Sequence, residues 1–215
     1  LTFILGSVAN AHGLVTITNA ATGAFSYTPD ANFNGPASFT FLANDGTLDS
    51  NIGTVTITVN ALNDAPTAND GSLTTNEETA TTGTLLASDI DSVALSVSLV
   101  STTNTHGSVT ITDATTGAFN YTPDADFDGS ASFTFSASDG SLVSNISTVT
   151  IAVNAVNDAP VAIDDSLTTN EDAATTGTLS ASDIDSATLS FSLVSTSNAH
   201  GSVTITDNTT GAFSY

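Results

Sequence analysis

The chain of 215 residues contains no lysine and no arginine, yet it carries 22 aspartates and glutamates, for a formal charge of −22. Nothing in it could neutralise phosphate, so DNA and RNA are excluded as partners. Attraction to an anionic membrane surface is excluded on the same ground. Cysteine is also missing, which removes disulfides and thiol chemistry. With no cysteine and three histidines, zinc and copper centres lack their usual ligands. No apolar run reaches about 18 residues, so membrane insertion through a helix is not expected.

High net charge often accompanies disorder. Here 40% of residues are hydrophobic, and Val, Ile, Phe and Thr recur in regular runs of the kind that form strands. The positive counterpart of so many carboxylates must come from outside the chain: a metal cation, a basic protein, or dissolved salt. One stretch makes the problem concrete. Residues 87–92 read ASDIDS, and so do residues 181–186. If the stretch is extended, Asp89 and Asp91 point the same way. Carboxylates about 5 Å apart repel by roughly 3 kcal/mol at an effective dielectric near 20.

Repetition organises everything else. NAHGLVTI at 10–17 returns as NTHGSVTI at 104–111 and NAHGSVTI at 198–205, each step being 94 residues. Residues 63–121 and 157–215 share 46 identities in 59 positions. One complete unit (63–156) is therefore expected between the C-terminal part of another (1–62) and the N-terminal part of a third (157–215), as in a window on a tandem array. Neither terminal part is expected to close a sandwich alone, unless a neighbouring chain lends it strands.

Ninety-four residues exceed the 20–50 of short solenoid repeats and suit an autonomous sandwich domain. Strands are expected near 72–75, 83–88, 94–101, 107–112, 117–122, 131–138 and 147–154. SFTFSAS (132–138) and STVTIAVN (147–154) alternate, placing Phe133, Phe135, Val149, Ile151 and Val153 on core faces. No stretch has helical period. The fold class expected is all-β: tandem seven-stranded Greek-key β-sandwiches, cadherin- or immunoglobulin-like.

The acids of the complete unit cluster in loops and at strand ends, as NEE, DID, DADFDG and SDG. Calcium-type cations take six to eight oxygens from carboxylates, amides and carbonyls, which is the ligand set these clusters offer. DADFDG superficially resembles part of an EF-hand loop, but no bidentate Glu and no flanking helices follow. The bland alternative for each Asp is a solvated Asx turn, and Asp70 and Asp113 read as surface residues of that kind.

In order along the unit, TTNEET, ASDIDS, TTGAFNYTPDADFDG and SASDG, joined by the linker VNALNDAP, resemble the cadherin ectodomain repeat. The form they resemble is the bacterial cadherin-like one, found in tandem within large RTX-type surface adhesins. The resemblance implies Ca2+ between consecutive units. At the junction of units two and three it implies Glu77 or Glu78, Asp124, Asp126, Asp128, Asn154, Asn157, Asp158, Asp183 and Asp185 as ligands. At the earlier junction it implies Asp30, Asn60, Asn63, Asp64, Asp89, Asp91 and Asp139. The linker departs from the family pattern in reading NDAP and in having Asn60 for an Asp. Asn32 and Asn34 stand where unit two has Asp126 and Asp128, so fewer ions or weaker binding is expected there.

No catalytic constellation emerges. His12, His106 and His200 are one position in three units, without a GxSxG elbow or a Ser–His–acid order. Asp124 and Asp126 lack an aromatic sugar platform, unlike a glycosidase pair. Asn145-Ile-Ser is a formal glycosylation sequon. The function expected is a calcium-rigidified extender of a secreted bacterial adhesin or surface fibre, with neighbouring repeats of the same chain as its partners. The alternative is a module that binds surface polysaccharide or like chains.

Overall fold

A computed structural model describes residues 1–215. Every regular element is a strand. Residues 1–62 hold β1 (Thr2–Leu5), β2 (Gly13–Asn19), β3 (Ala24–Pro29), β4 (Gly35–Asn44) and β5 (Gly53–Val59). The complete unit holds β6 (Thr67–Asn69), β7 (Gly71–Asn76), β8 (Thr81–Thr84), β9 (Leu86–Ser88), β10 (Ser96–Ser101), β11 (Gly107–Asp113), β12 (Ala118–Pro123), β13 (Gly129–Ser138) and β14 (Ser147–Asn154). Residues 157–215 hold β15 (Val161–Ile163), β16 (Thr176–Thr178), β17 (Ser180–Ser182), β18 (Thr204–Asp207) and β19 (Ala212–Ser214).

The complete unit is a two-sheet sandwich. One sheet runs β10-β13-β14-β7 and the other β11-β12-β8, with β6 paired to β9 beside them. Alternation places one face of each strand inward. Phe133, Phe135, Val149, Ile151 and Val153 are all buried, as their spacing requires, and Phe119 and Tyr121 face them from β12. The rings of Phe119 and Phe133 meet edge to face across the two sheets, with centroids 5.2 Å apart.

Strands β6 and β7 are one path interrupted at Asp70, and β8 and β9 one path bent at Leu85, so nine short elements make seven strands. The first path changes sheet. Strand β6 lies antiparallel to β9, then β7 lies parallel to β14 from Gly71 against Val149 to Asn76 against Asn154. Two side chains fasten this crossover. Asp70 accepts a hydrogen bond from the Thr148 N–H at 2.8 Å. Asn145 brackets Ala68, accepting from its N–H and donating to its carbonyl, both at 3.0 Å. The sequon asparagine thus spends its amide on the crossover, and Asp70 is a structural acceptor as well as a surface acid.

The flanking units carry subsets of this plan. Residues 1–62 pair as β1-β4-β5 and β2-β3, around Ala11, Val15 and Phe39. Phe25 and Phe39 repeat the edge-to-face contact at 5.0 Å. Within 157–215 no hydrophobic side chain is buried. Residues 190–195 and 165–170, which align with β10 and β7, form no strand. Their ladder partners in the complete unit are β13 and β14, and residues 157–215 contain no counterpart of either. A strand without its ladder leaves its backbone groups to water.

Candidate metal centre

Both junctions are built from loops that the sandwich brings to one end of a unit. At the second, Glu78 comes from the turn after β7, Asp126 from the loop after β12, and Asp158 from the segment leading to β15. One carboxylate oxygen from each lies within 4.8 Å of the other two. The backbones of Glu78 and Asp126 turn sharply in the left-handed region, at φ 55° and 57°, and the Asp126 N–H donates to Glu78 Oε1 at 3.1 Å. From the third unit, Asp185 Oδ2 accepts the Asp158 N–H at 2.5 Å. Asp183 Oδ1 in turn accepts the N–H groups of Asp185 and Ser186 at 2.9 and 2.7 Å.

Asp158 is the electrostatic focus. Its Oδ2 is buried and has no hydrogen-bond partner. Burial pushes its carboxyl above the usual 3.8, and the negative charges of Glu78, Asp185, Asp126 and Asp183 push it further. An orphaned buried carboxylate oxygen facing two more carboxylates fits a hard divalent cation, which would supply the missing charge and take oxygen ligands. Glu78, Asp126 and Asp158 are the residues that would hold it, with Asp183 and Asp185 behind them.

The other expected ligands sort themselves by contact. Glu77 is 3% exposed; its Oε1 accepts the Val156 N–H and its N–H donates to the Asn154 carbonyl at 3.0 Å. It therefore ties β7 to the linker backbone and leaves Glu78 to the cluster. Asn154 donates to Asn76 Oδ1 at 3.2 Å across the parallel pair, and the Asn157 amide donates to the Asp158 carbonyl at 2.7 Å. Asp124 and Asp128 flank Asp126 in its loop but stand outside the trio.

The first junction has the same frame with fewer charges. Asp30, Asn32, Asn34, Asn60, Asp64 and Asp91 line one cleft, and the Asp64 N–H donates to Asp91 Oδ2 at 2.8 Å. The Asn63 amide donates to Asp139 Oδ2 at 2.6 Å. The Asp139 carboxyl lies below its usual value because the Leu142 N–H, the Asn63 amide and the Ser141 N–H all donate to it. ASDIDS is a turn here, not an extended segment: Asp89 Oδ1 accepts the N–H groups of Asp91 and Ser92 at 2.7 and 2.8 Å. Yet Asp89 Oδ2 is buried without a partner. The Asx turn and the open ligand position coexist in one side chain. Of the three positions that make the trio, this junction shows Asp64 in the place of Asp158 and Asn32 in the place of Asp126, and residues 1–62 contain no counterpart of Glu78.

Comparison with known proteins locates this architecture. A model of the bacterial Ig domain family matches residues 1–58, 63–152 and 157–215. An integrin beta-like protein B from Dictyostelium discoideum is 45% identical over 47 residues, 22% of this chain and 2% of that protein. The extracellular domain of protocadherin gamma B4 superposes with a TM-score of 0.55 at 20% identity, over 100% of this chain and 37% of that one. A protocadherin gamma B7 structure gives 0.55 at 17%, over 99% and 58%. The chain thus spans a small part of its curated relative and a third to a half or so of the structures it resembles, and at these identities the structures speak for the fold alone. No helix is long and apolar enough to cross a membrane. Matched along three successive segments and folded as tandem cadherin-like β-sandwiches, the chain belongs to the bacterial Ig domain family.

Proposed function

We propose that the chain is a calcium-rigidified structural extender of a secreted bacterial adhesin or cell-surface fibre of the RTX type, and that it is not an enzyme. The observation that carries this reading is the trio Glu78, Asp126 and Asp158, drawn from two successive units, with Asp158 Oδ2 buried and unpartnered. A cation seated there would convert repulsion between the units into a tie. The cadherin-like fold and the tandem repetition support the reading, because stiffness between repeats is what a stalk requires.

Location would then act as the switch. In a cytosol poor in calcium, self-repulsion keeps the units loosely associated. Outside, at roughly 2 mM calcium, a site with a dissociation constant of about 10⁻⁴–10⁻³ M would be about two-thirds to nine-tenths filled or more. Small-angle scattering of the chain in calcium and in EGTA tests this. The expected result is a longer, narrower particle in calcium and faster protease cutting around 155–158 in EGTA. Identical scattering and identical cutting would contradict it.

A further inference from the structure

His106 and Phe127 lie 21 positions apart, yet their rings stack with centroids 4.3 Å apart and planes 4° from parallel. His12 and Phe33 do the same at 4.4 Å and 10°. Phe127 is the residue between Asp126 and Asp128. Phe127 packs against the hydrophobic core, and the exposed imidazole of His106 stacks on its ring. The backbone beneath is pinned by the same pair of residues. The Asp124 N–H donates to the His106 carbonyl at 2.9 Å, and the buried Tyr121 hydroxyl donates to the carbonyls of Thr105 and His106 at 2.8 and 3.3 Å. Unit one repeats the backbone bonds as well as the stack: the Asp30 N–H on the His12 carbonyl at 2.9 Å, and Tyr27 on Ala11 and His12 at 2.8 and 3.3 Å.

We propose that His106 is a positioning residue for the cation site: its ring clamps Phe127 and so holds Asp126 in place toward Glu78 and Asp158. This rests on the calcium reading above. A plain turn does not explain the residue type. His106 lies in the left-handed region at φ 42°, a conformation that Asn accepts at least as readily as His. What His adds is a flat ring. Stacking also explains why the device persists in unit one, where Asn32 replaces the acid: it serves the course of the loop rather than the charge on it. Holding the loop in advance removes an ordering cost that binding would otherwise bear.

The rival is that His106 merely stabilises the turn. Calcium titration calorimetry on the full chain and on two variants separates the two. His106→Asn keeps the left-handed preference and removes the ring; His106→Phe keeps a ring. The expected result is calcium binding at the second junction weakened about three- to ten-fold in His106→Asn. His106→Phe should lie within about two-fold of the parent, and both variants should melt somewhat lower in EGTA, Asn through the lost stack and Phe through its left-handed backbone. A parent that binds calcium with His106→Asn unchanged, or with the two variants equal, overturns this inference alone. A parent that takes up no calcium overturns the extender reading together with it.

Discussion

Removing the amide of Asn145 should unfasten the crossover of the first strand. Ala68 is 4% exposed, and Asn145 is the acceptor of its N–H and one of two donors to its carbonyl. In Asn145→Ala the carbonyl keeps the Ser147 hydroxyl at 2.8 Å, while the N–H is left buried without an acceptor. An orphaned buried donor costs about 1–3 kcal/mol, and the lost bonds to the Ala68 carbonyl and to the Ser147 hydroxyl at 3.1 Å together about 1 more. A net loss of about 2–4 kcal/mol from a domain of this size lowers its melting temperature by roughly 8–30 °C. Circular dichroism melts of the full chain give the measurement. Asn51, the same position in unit one, reaches only the Ile52 carbonyl at 3.4 Å, so Asn51→Ala should move stability by less than about 0.5 kcal/mol. Asn145→Asp keeps the acceptor but sets a carboxylate against the Ala68 carbonyl. Its loss should be large at pH 7 and shrink below about pH 4, where the acid regains a donor. A melting shift under about 2 °C in Asn145→Ala, or one equal to that of Asn51→Ala, would refute the reasoning.

Two other outcomes are expected. Since the folded-state value of Asp158 is raised above 3.8, its contribution favours the closed junction at low pH and is lost as pH rises through the folded value. In EGTA, intrinsic-rate-corrected amide protection at Val156 and Asp158 should therefore rise as pH falls from 7 toward 4. With calcium the trend should reverse, because protons displace the ion; protection that ignores pH in EGTA would count against the site's electrostatics. A Cβ at Gly83 would lie 2.5 Å from the Phe119 ring, so Gly83→Ala should destabilise the complete unit by about 1–3 kcal/mol through overpacking, read as a lower urea midpoint. An unchanged midpoint would show that the ring moves aside freely.

Period-two alternation made the sandwich legible, because burial must follow side-chain direction along a strand. Phe133, Phe135, Val149, Ile151 and Val153 could be placed without coordinates. The crossover at Asp70 could not, since nothing local says that β7 will lie parallel to β14 rather than continue beside β9; the signal was Asn145 and Asp70, which read as a sequon and a surface acid. At the junction, the fold brings together carboxylates of Glu78, Asp126 and Asp158, three of the residues that the cadherin resemblance implied. The resemblance did not divide Glu77 from Glu78, adjacent acids whose contacts diverge because one faces the linker backbone and the other the cluster. ASDIDS was left open between an extended pair and an Asx turn, because the choice depends on where the preceding strand stops. For His12 and His106 the stacking partner lay 21 residues away, beyond any local pattern.

Convergence of acids from successive units around a divalent ion is tested most directly by calcium titration calorimetry of the chain beside Asp158→Asn. Saturable uptake is expected, with a dissociation constant of about 10⁻⁴–10⁻³ M, together with loss of at least ten-fold in affinity at the second junction when the buried, unpartnered oxygen is replaced. Heats no larger than dilution, or one isotherm shared by both proteins, would contradict it.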